Sequence, residues 1–293
     1  METLRKELQI KGFVRIPPSV FCLNEISIAE LRDEMGKLFA GRFETGVYPD
    51  EIHWREGISR ENVTREICNG WKASSKIQKL VCGEDLGLLA CSLMGWGSSR
   101  IGQDDVIHKP PMSTAVGFHQ DGSYISDNFV PRENNCLTMW IALDDADIEN
   151  GALQYAPGSH LWGKDRDVDV AASSFHLGDN DDHFAPLRRA AQLARVDPEK
   201  AVCSVQTVAV AAGEMVVHLQ QVWHGSGPNM STNRRRRALV AHLIDGKVKW
   251  RPEPRPHYIY GRYWIRGERN LRQDFFPITS SISDDMVRTS WLD

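Results

Sequence analysis

The chain has 293 residues, 41% hydrophobic and 25% charged, enough to bury one sizeable core or two small ones, so disorder is not its default state. Lys and Arg number 35 against 39 Asp and Glu, a net charge of -4, which leaves no basic excess for the footprint of a DNA- or RNA-binding protein. The six cysteines (Cys22, Cys68, Cys82, Cys91, Cys136, Cys203) form no Cys-x-x-Cys pair and fit a reduced, cytoplasmic setting, and no apolar run approaches the ~18 residues of a membrane span.

The first thirteen residues mix charged with apolar side chains and lack the apolar core of a secretory leader, so none is expected. Gly12-Phe13-Val14-Arg15-Ile16, stopped by Pro17-Pro18, predicts a short strand. Ser27-Ile28-Ala29-Glu30 is a capping-box pattern, and Ile28, Leu31, Met35 and Leu38 predict an amphipathic helix from there. From Thr64 to Met94 apolar residues again recur at helical spacing, and Gly95 stops them. Beyond Gln103 come short runs rich in β-branched and aromatic residues, bounded by Pro, Gly, Asn and Asp. They predict strands at 106–108, 114–118, 137–143, 152–155, 205–210, 215–219 and 238–244. Helices segregated ahead of these strands predict one α+β, mainly β domain, a sandwich or barrel braced on one face. Its parts are a helical flank (1–100), a β core (101–250) and a tail (251–293). Residues 163–200 interrupt the core with an acidic, turn-like stretch and, over 186–194, the composition of a short helix; an insertion this long is expected to be a lid.

His119-Gln120-Asp121 follows the predicted strand 114–118, and a period of two puts side chains at i and i+2 on one face. His-x-Asp also arises by chance, so the pair alone carries little. His224 gives it weight, because it follows the predicted strand 215–219 in Trp223-His224-Gly225-Ser226-Gly227-Pro228-Asn229, where glycines let the backbone approach a ligand. Two imidazoles and one carboxylate leave open positions on non-haem Fe(II), whereas a closed zinc site wants a fourth ligand, commonly Cys, and no Cys adjoins these residues. Open positions imply a co-substrate and O2. An acidic co-substrate needs a fixed cation, and Arg234-Arg235-Arg236-Arg237 lies past His224 across a turn. Arg236, Ala238 and Val240 share one face of the next strand and Arg235, Arg237 and Leu239 the other, so only one set looks inward. His160 reads as a turn residue, and His108, His218 and His242 as core or surface residues.

Gly12-Phe13-Val14, Lys109-Pro110-Pro111, His119-Gln120-Asp121-Gly122-Ser123, Trp140-Ile141-Ala142-Leu143-Asp144-Asp145, Glu149-Asn150-Gly151-Ala152-Leu153, Pro157-Gly158-Ser159-His160 and the segment from His224 to Asn229 together resemble the phytanoyl-CoA dioxygenase family of Fe(II)/2-oxoglutarate oxygenases. The resemblance spans most of the chain. It implies a double-stranded β-helix (jelly roll, cupin-like) with flanking N-terminal helices, and Fe(II) on His119, Asp121 and His224. It also implies 2-oxoglutarate and O2 as co-substrates, and hydroxylation of a small molecule with release of succinate and CO2. Ser226 resembles the hydroxyl partner of the distal 2-oxoglutarate carboxylate, and Trp140 the aromatic beside it. The family arginine falls on Arg235 when counted from His224 and on Arg236 when counted back from Ala238; strand register, which an insertion in the turn leaves untouched, favours Arg236. Gln103 and Asp105 are further candidates for the co-substrate pocket. Tyr124, Arg262 and Arg266 are candidates for substrate, the arginines for an anionic one. Halogenating relatives lack the carboxylate that Asp121 supplies here, so halogenation is not expected. The same oxidant serves desaturation, oxidative cyclisation or epoxidation, and a non-catalytic cupin-like metal or small-molecule binder is the alternative of another class. Neither a nucleic acid nor a membrane is an expected partner.

Overall fold

The computed structural model describes residues 1–125, 128–162, 181–254 and 259–282. In chain order, helix α1 (Glu2–Lys11) leads into strand β1 (Phe13–Ile16), helix α2 (Glu25–Phe39), strands β2 (Glu51–Ile52) and β3 (Arg65–Cys68), and helices α3 (Ser75–Val81) and α4 (Glu84–Met94). Strands β4 (Ser98–Lys109), β5 (Val116–His119), β6 (Phe129–Val130), β7 (Cys136–Ala142) and β8 (Leu153–Tyr155) follow. After helices α5 (Ala185–Leu193) and α6 (Pro198–Cys203) come β9 (Gln206–Thr207), β10 (Met215–Leu219), β11 (His224–Ser226), β12 (Arg236–Asp245), β13 (Lys249–Trp250) and β14 (Ile278–Ser281). Among the described residues, no helix is long and apolar enough to cross a membrane.

The predicted amphipathic helix is α2, and its buried stripe includes Ile28, Leu31, Met35 and Leu38. It begins one turn earlier than the capping box indicates: Asn24 is the cap, its side chain accepting from the Ser27 backbone N–H at 2.9 Å. The stretch 64–94 is helical only in its second half, where Ser74 caps α3 and Gly95, at φ 73°, ends α4; its first residues form β3 instead. The N-terminal residues form α1, which the sequence reading did not anticipate; only Leu8 of it is buried, so it lacks a wide apolar stripe. The predicted strand 205–210 shrinks to β9.

Two antiparallel sheets carry the architecture. The larger runs β1-β10-β7-β12-β4-β3-β2 with β14 added on β4, and the smaller runs β5-β11-β8-β9. Alternation sorts the residues of the large sheet onto two faces. Val106, Met139, Ile141, Val217, Leu239 and Ala241 join the helices in one core, with Leu31, Met35, Leu86 and Leu93. Ile107, Trp140, Val216, Ala238 and Val240 turn the other way and pack with Leu153 and Tyr155 of the small sheet. The gap between the sheets is where the functional side chains collect.

Candidate active site

The cavity between the sheets has about 540 Å³ of empty space, part of it open to solvent. From the large sheet it is lined by Asp105, Ile107, Thr138, Trp140, His218, Arg236, Val240 and His242, all on one face of their strands; from the small sheet come Val116, His119, Leu153 and His224 to Ser226.

His119 ends β5 and is the register partner of His224, the first residue of β11, so one strand pairing juxtaposes the two imidazoles at 4.3 Å between ring centroids. Asp121 sits just past β5 in a single 3-10 turn, Asp121–Ser123, and not on the strand as the i, i+2 reading assumes. Its Oδ1 still meets both rings, 3.7 Å from His119 Nε2 and 3.5 Å from His224 Nε2. Each ring is turned by its other nitrogen: His119 Nδ1 lies 2.8 Å from the Gly117 carbonyl and His224 Nδ1 3.1 Å from that of Val222. With Nδ1–H donating there, both Nε2 lone pairs face Asp121. Burial pushes both imidazoles down to about 4, so they are neutral at pH 7. Burial opposes ionisation of Asp121, but the histidines around it, His224 and His218 first, hold it well below the usual carboxylate range. Its Oδ2 accepts from Thr138 Oγ1 at 2.6 Å and His218 Nε2 at 3.0 Å, while Tyr124 donates its hydroxyl to Oδ1 at 2.5 Å. The donor set is two neutral nitrogens and one carboxylate oxygen with no thiolate beside them, which fits Fe(II) with open positions better than a closed zinc site.

At the other side of the cavity two cations are buried together. Arg236 and Lys109 are register partners on β12 and β4, 2% and 0% exposed. Arg236 Nη1 donates to the Gly151 carbonyl at 3.0 Å, its guanidinium carbon lies 5.3 Å from the centroid of Trp140, and its Nε has no partner among the described residues. Lys109 Nζ donates to Ser226 Oγ at 3.1 Å. Gly151, at φ +80°, makes room for this pair: a Cβ there would stand 2.8 Å from Lys109 Cε. Burial pushes Arg236 down to about 10, and burial with the neighbouring Arg236 pushes Lys109 well below the ordinary lysine range. Among the described residues, no carboxylate is a hydrogen-bond partner of either. Two basic side chains buried side by side, one of them on the Ser226 hydroxyl, form a site for an anion.

Arg235, by contrast, is exposed on the opposite face of the strand, so strand register and not the count from His224 identifies the inward arginine. Asp105, Trp140, Ser226 and Tyr124 line the cavity; Gln103 does not, and instead donates to Asp105 Oδ1 at 2.7 Å. Arg262 and Arg266 are not among the residues that line the cavity. Both are exposed, and Arg262 donates to the Asp50 carbonyl and the Glu51 carboxylate on the outer hairpin, away from the cavity. His218 and His242 are buried strand residues, as read, and both also line the cavity: His218 holds Asp121, and His242 Nε2 lies 2.8 Å from Asp105 Oδ2 with Nδ1 2.9 Å from Thr138 Oγ1. His160 is a bracing residue, its Nε2 2.9 Å from the Gln9 carbonyl, and His108 packs edge-on to Phe39. Thr64 and Glu66 also line the cavity, and Lys109 reaches it through Ser226; no motif in the sequence marks these three as a group. In the insertion, 163–180 lies outside the described residues; the predicted helix 186–194 is α5.

A family model described as phytanoyl-CoA dioxygenase matches residues 8–238. A probable alpha-ketoglutarate-dependent hypophosphite dioxygenase from Stutzerimonas stutzeri is 28% identical over 243 residues, 81% of this chain and 77% of that protein. Phytanoyl-CoA dioxygenase domain-containing protein 1 of Bos taurus is 30% identical over 155 residues, and there the alignment covers 50% of this chain and 46% of the relative. In structure, the non-haem alpha-ketoglutarate-dependent carbocyclase SnoK from nogalamycin biosynthesis superposes with a TM-score of 0.70 at 21% identity, covering 96% of each chain.

Proposed function

This chain belongs to the phytanoyl-CoA dioxygenase family and is an Fe(II)- and 2-oxoglutarate-dependent oxygenase, and on that premise we propose that His119, Asp121 and His224 hold the iron while Arg236, Lys109 and Ser226 receive the distal carboxylate of 2-oxoglutarate. The observation that carries the assignment is that Arg236, with Lys109 beside it behind Ser226, faces the same cavity as a triad of one carboxylate and two neutral imidazoles. Bound iron and 2-oxoglutarate supply an O2-derived oxidant for a substrate C–H bond, with succinate and CO2 as co-products.

The chain's own part is geometric and electrostatic. The Gly117 and Val222 carbonyls hold the ring tautomers, and Thr138 and His218 occupy Asp121 Oδ2 so that Oδ1 points between the rings. Arg236 is the planar fork for the co-substrate, with Lys109 behind Ser226 as a second charge and Trp140 as the wall beside it. Val116, Leu153 and Val240 keep the centre dry. The two facing antiparallel sheets are read as the double-stranded β-helix of this family, in one domain that keeps the tail through the pairing of β14 with β4. Hydroxylation of a small molecule is the reaction we favour.

Succinate formation from 2-oxoglutarate with Fe(II) and O2 tests the reading, with product mass separating addition of oxygen from loss of hydrogen. His224→Ala should abolish turnover that depends on added Fe(II). Retention of that turnover at the level of the unaltered chain would reject the ligand assignment, and absence of succinate from the unaltered chain across a metabolite panel would favour a non-catalytic binder.

A further inference from the structure

On the β3 side of the cavity stand polar groups that neither the metal nor the co-substrate uses. Thr64 and Glu66 are two residues apart, at and just before the start of β3, and both line the cavity. Glu66 is the register partner of Ile107 and Cys68 that of Asp105, which makes the Glu66 and Asp105 carboxylates diagonal neighbours on adjoining strands. Thr64 is 2% exposed, and its Oγ1 has no hydrogen-bond partner among the described residues.

Of the carboxylates that line the cavity, Glu66 is the one without a hydrogen-bonded basic partner among the described residues. Asp105 has His242 Nε2 at 2.8 Å, Asp121 has His218 at 3.0 Å and would hold the iron, and Lys109 with Arg236 would answer the dicarboxylate co-substrate. The basic side chain beside Glu66 is His53, whose Nε2 is 3.9 Å from Oε2, beyond hydrogen-bond reach. Burial, with Asp105 and Asp121 nearby, raises the Glu66 carboxyl well above the ordinary range, and among the described residues no hydrogen-bonded cation offsets this, so a ligand that brings a positive charge is what would favour its ionised form. A hydroxyl that is buried, lacks a partner and lines the same wall adds a second contact for that ligand.

We propose that Glu66 and Thr64 form the subsite for a protonated amine of the substrate, so that this oxygenase acts on an amine-bearing small molecule and not on an anion. The inference rests on the iron and 2-oxoglutarate assignment above. An ammonium group has three donors, enough to reach the Glu66 carboxylate and Thr64 Oγ1 together. An anion meets like charge from Glu66 and Asp105 on this wall, and the arginines that an anionic substrate would have used lie outside the cavity.

The test is calorimetric titration without O2 of the full chain loaded with Mn(II) and 2-oxoglutarate. The probes are butylamine against butanol and butyrate, glucosamine against glucose, and hypophosphite. Each amine should bind about tenfold tighter than its alcohol, and Glu66→Gln, which keeps the side-chain shape, should bring the two within about threefold. Thr64→Val should weaken amine binding about threefold and provides an independent variant should Glu66→Gln fold poorly. Affinity for 2-oxoglutarate, set on the Arg236 side, reports folding in both variants. Equal binding of amines and alcohols, an amine preference that survives Glu66→Gln, failure of both amines to bind at millimolar concentration, or tighter binding of butyrate or hypophosphite overturns the proposal and leaves the oxygenase assignment standing. If the unaltered chain does not bind 2-oxoglutarate, both fall.

Discussion

Replacing Arg236 by methionine should pull apart two effects that are merged wherever a buried charge has a protein partner. Among the described residues the guanidinium, 2% exposed, makes one hydrogen bond, to the Gly151 carbonyl, and its Nε has no partner. Methionine is of similar length, so the ligand-free fold loses one hydrogen bond worth about 1 kcal/mol net and no longer holds an unmatched charge out of water. Stability without 2-oxoglutarate should therefore stay within about 1 kcal/mol of the unaltered chain or rise. Binding should respond in the other direction. Truncating one partner of a desolvated charge pair costs roughly 2–5 kcal/mol, and with Lys109 still present the lower part, about 2–3 kcal/mol, is expected, a loss of about 30- to 150-fold in affinity. Arg235→Met, on the exposed face, should change affinity by less than about twofold. Titration of 2-oxoglutarate without O2, beside urea unfolding of the same samples, reads both quantities. A larger loss in Arg235→Met than in Arg236→Met would refute the register reasoning. Strong destabilisation of Arg236→Met with unchanged affinity would show the guanidinium to be a structural prop.

His218→Gln removes a donor to Asp121 Oδ2 without touching the three proposed ligands, and should weaken Fe(II) binding by about 10- to 100-fold in a metal titration; unchanged affinity would mean that Thr138 and Tyr124 suffice to orient the carboxylate. His108 supplies a pH prediction: burial first, then Arg65, Arg235 and Arg237, push it from 6.5 down to about 3, so it stays neutral in the folded chain while the unfolded chain takes up a proton. Its contribution to stability is therefore full above pH 6.5 and lost as pH falls toward about 3, on the order of 1 kcal/mol per pH unit, and urea unfolding of His108→Gln should show a shallower acid slope than the unaltered chain.

What the sequence made legible follows the period of two. Arg236 was recoverable because Ala238 and Val240 fix its face, and the same alternation carried two residues further reaches His242, so that signal was present and unused. Lys109 was likewise available, four residues past Asp105 on the same face of β4. Glu66 was hidden by a wrong period: residues 64–68 were read with the helix that follows, and a helical face assignment says nothing about which side chains a strand turns inward. The position of Arg262 and Arg266 on the surface has a different origin. The tail docks through Tyr263 and Arg262 onto Asp50 and Glu51, a contact spanning more than 200 residues of sequence that no local pattern encodes.

The two-faced large sheet has a consequence for how this protein can change. Odd-numbered residues of β12 such as Leu239, Ala241 and Leu243 serve the helical core, and even-numbered ones such as Arg236, Val240 and His242 serve the cavity. Substitution on one face leaves the other largely undisturbed, so new specificities are open to single-residue steps along Asp105, Ile107, Trp140 and Val240. A length change inside β12 is another matter: one inserted residue swaps the two sets beyond it, sending an imidazole into the hydrophobic core and a leucine into the reaction space. The turn before Arg236 absorbs such insertions and the strand does not, so the lineages descending from this chain should vary in loop length at 229–235 and hold β12 to a fixed count.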